Sequence, residues 1–241
     1  DLLTSRGLGD VYKRQKEELA DKLSGYIINH HLDSSIALSG GSTPLLLFKD
    51  LSRKLNDRKA PNTKFFWVDE RCVSPDSDES NFKMANDYLF TNKIFRSENI
   101  FRIKGENDPI EEVKTYNNIL KENLPESDGL PQFDLIILGL GDDGHTASLF
   151  PNKFKTFSDE PGCVVASHPS TGQKRISLSE KIINNSLEVI FHVTGSNKKN
   201  IVDDIINEKG KYNLYPGSYI SPKSKNISWY LDFDASEKLI N

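Results

Sequence analysis

Short unbroken apolar runs alternate with stretches of helical period along most of this chain. The runs are Ile36-Ala37-Leu38, Phe65-Phe66-Trp67-Val68, Leu135-Ile136-Ile137-Leu138 and Val189-Ile190-Phe191-His192-Val193. Strands covered on both faces read this way, because neither face meets water. Between the runs the period becomes that of a helix. Leu19, Leu23, Tyr26, Ile27 and His30 share one face, and Ile110, Val113, Tyr116 and Ile119 another, while Leu45, Leu46, Phe48 and Leu51 supply a further helix with apolar surface. Pro44 and Pro109 fit the first turn of a helix, where a missing N–H costs nothing, and Asp108 is placed to cap the second of these. Strand, loop and helix in repeated order is the unit of a parallel sheet with helices on its faces. The pattern therefore predicts an α/β fold of three layers, formed as a single domain over residues 16–241. The polar stretches 74–81 and 152–162 read as loops.

Residues 1–15 stand apart from this pattern. They have two glycines, no methionine and no clear period, and they end in Asp10-Val11-Tyr12-Lys13-Arg14-Gln15. Two readings remain open: a poorly formed first strand, or a non-native or disordered leader outside the fold. The second is the expectation carried forward.

Composition narrows the class of partner. With 241 residues the chain can bury a full core without disulfides or metals. A net charge of −4 and a pI near 5.8 argue against a nucleic-acid surface or an acidic-membrane surface. Positive charge for an anionic ligand must then be gathered in one cleft. Cys72 and Cys163 lie far apart and suit reduced thiols, and no apolar stretch reaches membrane-spanning length. The cytoplasm is the expected location, with a monomer or weak homo-oligomer as the expected state.

Polar motifs follow the apolar runs, and ligands of open parallel sheets bind at the carboxyl ends of the strands. Ser39-Gly40-Gly41-Ser42-Thr43 precedes Pro44; its glycines permit a tight turn, and Ser42 and Thr43 add hydroxyls beside a helix N-terminus. Such a terminus holds anions well, although a plain capped turn has the same composition. Asp69-Glu70-Arg71 is either a surface ion pair or a strand end whose arginine fork holds a phosphate. In Gly139-Leu140-Gly141-Asp142-Asp143-Gly144-His145 the histidine follows a sharp turn and opens what reads as a short helix. Asp143 is placed to orient His145, and a histidine titrates where general base work near neutral pH needs it. His30, His31, His168 and His192 read as packing or surface residues, and no two histidines have metal-pair spacing. Arg175 and Lys198, the latter shortly after Thr194-Gly195, complete the candidate cations.

Taken together, these motifs resemble the 6-phosphogluconolactonase family. The turn at 39–44, Asp69-Glu70-Arg71, Ser80-Asn81 and the long block from Gly139 to Pro151 stand in family order. The wider fold group includes glucosamine-6-phosphate deaminases and, more distantly, ribose-5-phosphate isomerases. Those deaminases share Asp-Gly-His, but Thr146-Ala147-Ser148-Leu149-Phe150-Pro151 is the lactonase continuation, and Arg71 also favours it. The resemblance implies a Rossmann-like αβα fold with a mainly parallel sheet. It implies hydrolysis of 6-phospho-D-glucono-1,5-lactone in the pentose phosphate pathway, without metal or other cofactor. His145, Asp143 and Asp69 become the expected catalytic residues, and Gly40, Gly41, Ser42, Thr43, Arg71, Arg175 and Lys198 the expected substrate- and phosphate-binding ones. The chain departs from the family where His168-Pro169-Ser170-Thr171-Gly172-Gln173-Lys174 replaces the usual proline-rich lead-in to Arg175.

Overall fold

The computed structural model describes residues 2–5, 9–55, 62–92, 94–151 and 160–239. In chain order the strands are β1 (Leu2–Ser5), β2 (Gly9–Arg14), β3 (Ser35–Leu38), β4 (Lys64–Trp67), β5 (Asp69–Arg71), β6 (Ile100–Phe101), β7 (Glu126–Ser127), β8 (Leu130–Pro131), β9 (Leu135–Leu138), β10 (Cys163–Ser167), β11 (Lys174–Leu178), β12 (Val189–Val193) and β13 (Ile227–Asp232). The helices are α1 (Lys16–His30), α2 (Pro44–Lys54), α3 (Asn81–Tyr88), α4 (Pro109–Asn123), α5 (Glu180–Asn184) and α6 (Lys199–Ile206). Of the loop expected at 152–162, residues 152–159 lie outside the described residues.

The main sheet has the order β1-β2-β13-β12-β9-β3-β4-β6. All its neighbours run parallel except β1, which turns back antiparallel on β2. All four predicted apolar runs are strands of this sheet or extend one, and each is buried throughout. Helices α1, α2 and α3 pack together in sequence. From β6 the chain returns toward β9, β12 and β13, so its right-handed crossovers put α4, α5 and α6 on the opposite face. The three layers follow from that reversal. Its switch point lies between β3 and β9, where neighbouring strands send their following loops in opposite directions.

A second sheet, β10-β11-β5, is antiparallel. Val68 joins it to the first: its N–H donates to Leu38 O at 2.9 Å, while its own carbonyl accepts from Leu178 N at 2.8 Å. The chain thus leaves the main sheet at Trp67 and re-enters pairing at Asp69 in the smaller one.

The residues set aside as a leader include β2, which runs parallel to β13 from Asp10↔Ser228 to Arg14↔Asp232. Val11 is its one fully buried apolar residue, and Tyr12 packs beside Tyr230 with ring centroids 4.6 Å apart. A strand holding one buried aliphatic among polar neighbours shows little period, which is why it is faint in the sequence. Helix faces also differ in detail. Ile110 is 63% exposed, and α4 instead buries Glu112, whose carboxylate accepts from Lys104 N and Asn107 Nδ2, each at 2.8 Å. In α2 the inward residues are Leu47, Phe48 and Leu51, with Leu46 outside.

Candidate active site

A cavity of about 560 Å³ opens over the β3/β9 switch point. Its wall contains every residue expected of the site: Gly40, Gly41, Ser42, Thr43, Asp69, Arg71, Asp143, His145, Arg175 and Lys198. Three groups of side chains build it.

The first group follows β9. Gly144 takes φ 80° and donates its N–H to Gly141 O at 3.1 Å, so the chain reverses sharply. No helix starts at His145, contrary to the expectation; residues 141–150 are turn, closed by a bridge between Thr146 and Leu149. The block spends its polar groups on holding that turn, with Thr146 Oγ1 donating to Gly139 O at 2.8 Å. Asp143 Oδ1 lies 2.6 Å from His145 Nδ1 and also accepts from the His145 N–H at 3.1 Å. Burial works to raise the Asp143 pKa, but the hydrogen bond and charge of His145 outweigh it and bring it down to about 2. An ionised Asp143 keeps the proton on Nδ1 and leaves Nε2 as the basic nitrogen. Phe150 supports the imidazole from the side, its ring centroid 4.9 Å away.

The second group follows β3. Thr43 precedes the first turn of α2, yet its hydroxyl does not cap the helix and instead pairs with Thr194 Oγ1 at 3.1 Å. Ser39 turns inward, donating from Oγ to Ile137 O at 2.8 Å and tying β3 to β9. Gly40 is required by a close approach: a Cβ there would stand 1.7 Å from Asn81 Oδ1.

The third group belongs to the smaller sheet. Arg71 and Arg175 are direct cross-strand partners, so both side chains leave the same face and enter the cavity. Asp69 is buried between the groups. It accepts from Ser148 Oγ at 2.6 Å and Asn81 Nδ2 at 3.2 Å, and faces Arg175 Nη1 at 3.9 Å. Glu70, on the opposite side of β5, accepts from the N–H groups of Asn81 and Phe82 at 2.7 and 2.8 Å and fixes the start of α3. The triplet therefore divides by strand alternation: Asp69 and Arg71 serve the cavity, and Glu70 the scaffold. Lys198 reaches the rim, where Asp142 holds it in an ion pair.

Four further wall residues, outside the expected catalytic and binding set, shape the site. Asn81 aligns Asp69, Thr194 meets Thr43, Asn197 donates to Asp142 at 2.9 Å, and His168 stands against Phe150. Ser80-Asn81 carried a signal as part of the family pattern; His168 carried none beyond its residue type. Of the remaining histidines, His30 is exposed, His31 is buried against Glu188 at 3.1 Å, and His192 lies wholly inside β12. Among the described residues no helix is long and apolar enough to cross a membrane.

The result is a parallel α/β sheet with a polar crevice at its switch point, a carboxylate-held histidine on one side and paired arginines on the other. The profile described as glucosamine-6-phosphate isomerases/6-phosphogluconolactonase matches residues 10–229, and the chain belongs to that family. The 6-phosphogluconolactonase of Aggregatibacter actinomycetemcomitans is 41% identical over 228 residues, which is 92% of this chain and 94% of that one. The solved structure of 6-phosphogluconolactonase from Trypanosoma brucei superposes with a TM-score of 0.84 at 28% identity, covering 95% of this chain and 98% of that one. A monomeric glucosamine-6-phosphate deaminase shares the fold at 20% identity, with a TM-score of 0.78 over 94% of this chain and 98% of that one.

Proposed function

We propose that this chain hydrolyses 6-phospho-D-glucono-1,5-lactone to 6-phospho-D-gluconate, the lactonase step of the pentose phosphate pathway, with His145 as general base. The observation that carries the reading is the Asp143–His145 pair at 2.6 Å, facing the paired Arg71 and Arg175 across one cavity. The activity of the relatives supports the choice of substrate.

Hydrolysis of the lactone needs a base for water, donors for the oxyanion and a proton for the leaving ring oxygen. Nε2 of His145 takes a proton from water as its oxygen bonds to C1. The carbonyl electron pair moves onto oxygen, and collapse then breaks the bond from C1 to the ring oxygen, which receives the proton from Nε2. Asp143 stays ionised throughout and stabilises the transient imidazolium. The Gly144 N–H already serves the turn, so the backbone N–H groups of Gly40 and Gly41, which have no backbone partner among the described residues, suit the oxyanion better. Arg71 and Arg175 hold the phosphate, assisted by Ser42, Thr43 and Lys198, and that remote binding energy positions C1 beside His145. Asp69 acts by orienting Arg175, since Ser148 and Asn81 occupy its oxygens. Its role is positioning rather than proton transfer.

The test is lactone hydrolysis with substrate generated in place and product drawn off by 6-phosphogluconate dehydrogenase, with EDTA present. Wild type is expected to exceed spontaneous hydrolysis, and His145→Ala to lose nearly all of that gain while remaining folded. Wild type no faster than buffer overturns the reading, and release of ammonia from glucosamine 6-phosphate would replace it with the deaminase chemistry of the wider family.

A further inference from the structure

The hairpin between β10 and β11 brings a second histidine to the cavity. Ala166 pairs with Arg175, and Arg175 with Arg71. His168 lies two residues beyond Ala166 and continues the pairing through its N–H, which donates to Gln173 O at 2.9 Å. By strand alternation its side chain shares the face of Arg175 and Arg71, and all three line the cavity. Phe150 braces the ring, with centroids 5.3 Å apart and planes at 80°, and the same Phe150 supports His145.

The hydrogen-bond pattern fixes which nitrogen is available. Nδ1 of His168 accepts from the Thr171 N–H at 3.3 Å, so the neutral ring carries its proton on Nε2. Among the described residues Nε2 has no partner, and Arg71 Nε and Arg175 Nε are buried without one. This wall therefore sets the donor Nε2 of His168 beside two guanidinium groups, of which Arg71 Nη1 donates to Glu79 O and Arg175 Nη1 faces Asp69 at 3.9 Å.

We infer that His168 is a specificity-determining residue, joining Arg71 and Arg175 to hold the phosphate of the substrate through Nε2. The inference rests on the lactonase reading. The charge balance adds a consequence. Burial lowers the His168 pKa, and Arg175, His145 and Arg71 lower it further against an opposing effect of Asp143. A phosphate arriving with a charge near −2 reverses that field and favours the imidazolium. Binding then draws one proton from solvent onto Nδ1, which gives up the 3.3 Å bond it accepts from the Thr171 N–H.

The experiment titrates 6-phosphogluconate calorimetrically into wild type, His168→Gln and Arg175→Gln, in two near-neutral buffers of different ionisation enthalpy. Gluconate, which lacks the phosphate, is the control ligand. Lactone kinetics are run alongside, and thermal melts confirm folding. Wild type is expected to take up protons with 6-phosphogluconate but not with gluconate. His168→Gln is expected to lose that uptake and to raise KM about tenfold, the scale of one charge-assisted hydrogen bond, with kcat held within about twofold. If His168→Gln melts early, His168→Asn replaces it under the same criteria. Wild-type KM and proton uptake in the histidine variant, with KM raised in Arg175→Gln, overturn the role of His168 alone. Absence of lactonase activity in wild type overturns the reading beneath it.

Discussion

Gly141 leaves no room for a side chain beneath the ring of His145. A Cβ at position 141 would stand 2.1 Å from Nδ1 and 2.2 Å from Cε1, while the Gly141 N–H donates to His145 O at 2.8 Å. Gly141→Ala must push the imidazole away from Asp143, and displacements of about 1 Å at a reacting group can cost about a hundredfold in rate. The expected result is a fall in kcat of that order, with KM and the melting temperature changing far less. Steady-state kinetics and a thermal melt of the one variant decide it.

Asp143 gives a test in pH. Its folded pKa near 2 lies below the ordinary 3.8, so the pair contributes stability that is fully present above pH 3.8 and is lost as pH falls through about 2. Asp143→Asn should melt below wild type at neutral pH, and the gap should close on acidification through that window. Its lactonase rate should drop about 10²- to 10⁴-fold, because the amide no longer stabilises the imidazolium. A gap independent of pH would show that the carboxylate charge is not what holds the pair.

Ser148 supplies the shortest hydrogen bond to Asp69, at 2.6 Å, and both residues are buried. Ser148→Ala leaves a carboxylate oxygen short of a donor. Destabilisation of about 1–3 kcal/mol is expected by denaturant titration. The same variant should raise KM more than it lowers kcat, because the consequence reaches substrate through Arg175.

His192 is enclosed in β12, and burial brings its pKa down from 6.5 to about 4. Between those values the unfolded chain binds a proton that the folded chain refuses, so this residue makes stability fall as pH drops from 6.5 toward 4. His192→Leu should flatten that part of the curve without changing the lactonase pH profile, since the residue does not line the cavity. Melting temperatures across the window, measured for both proteins, give the slopes directly.

The core strands were legible because a strand hidden on both faces has no polar positions to confuse it. The glycine-rich turns were legible because few other sequences permit such reversals. What the sequence obscured has common physical causes. Strand β2 buries fully only Val11 and so lacks a pattern. In α4 the first turn projects into solvent, which exposes Ile110, and Glu112 is tolerated inside because backbone and side-chain donors meet it. Asp69 and Glu70 look alike as neighbours, yet alternation sends them to opposite tasks. His168 was passed over because its position depends on hairpin pairing with Arg175 and on cross-strand alignment with Arg71, contacts that join residues far apart in the chain.

The step at Val68, where the chain crosses from one sheet to the other, separates the two roles proposed for the site. The histidine and the glycine turn follow the carboxyl ends of central strands of the large sheet, whereas the arginines and the hairpin belong to the small one. On those proposed roles, a descendant can remodel the hairpin, lengthen it or change its cations, and so explore new anions while the histidine half stays undisturbed. The same separation would let the histidine half be rebuilt for other chemistry while the proposed grip on a phosphate is retained, a physical route to diversify without refolding.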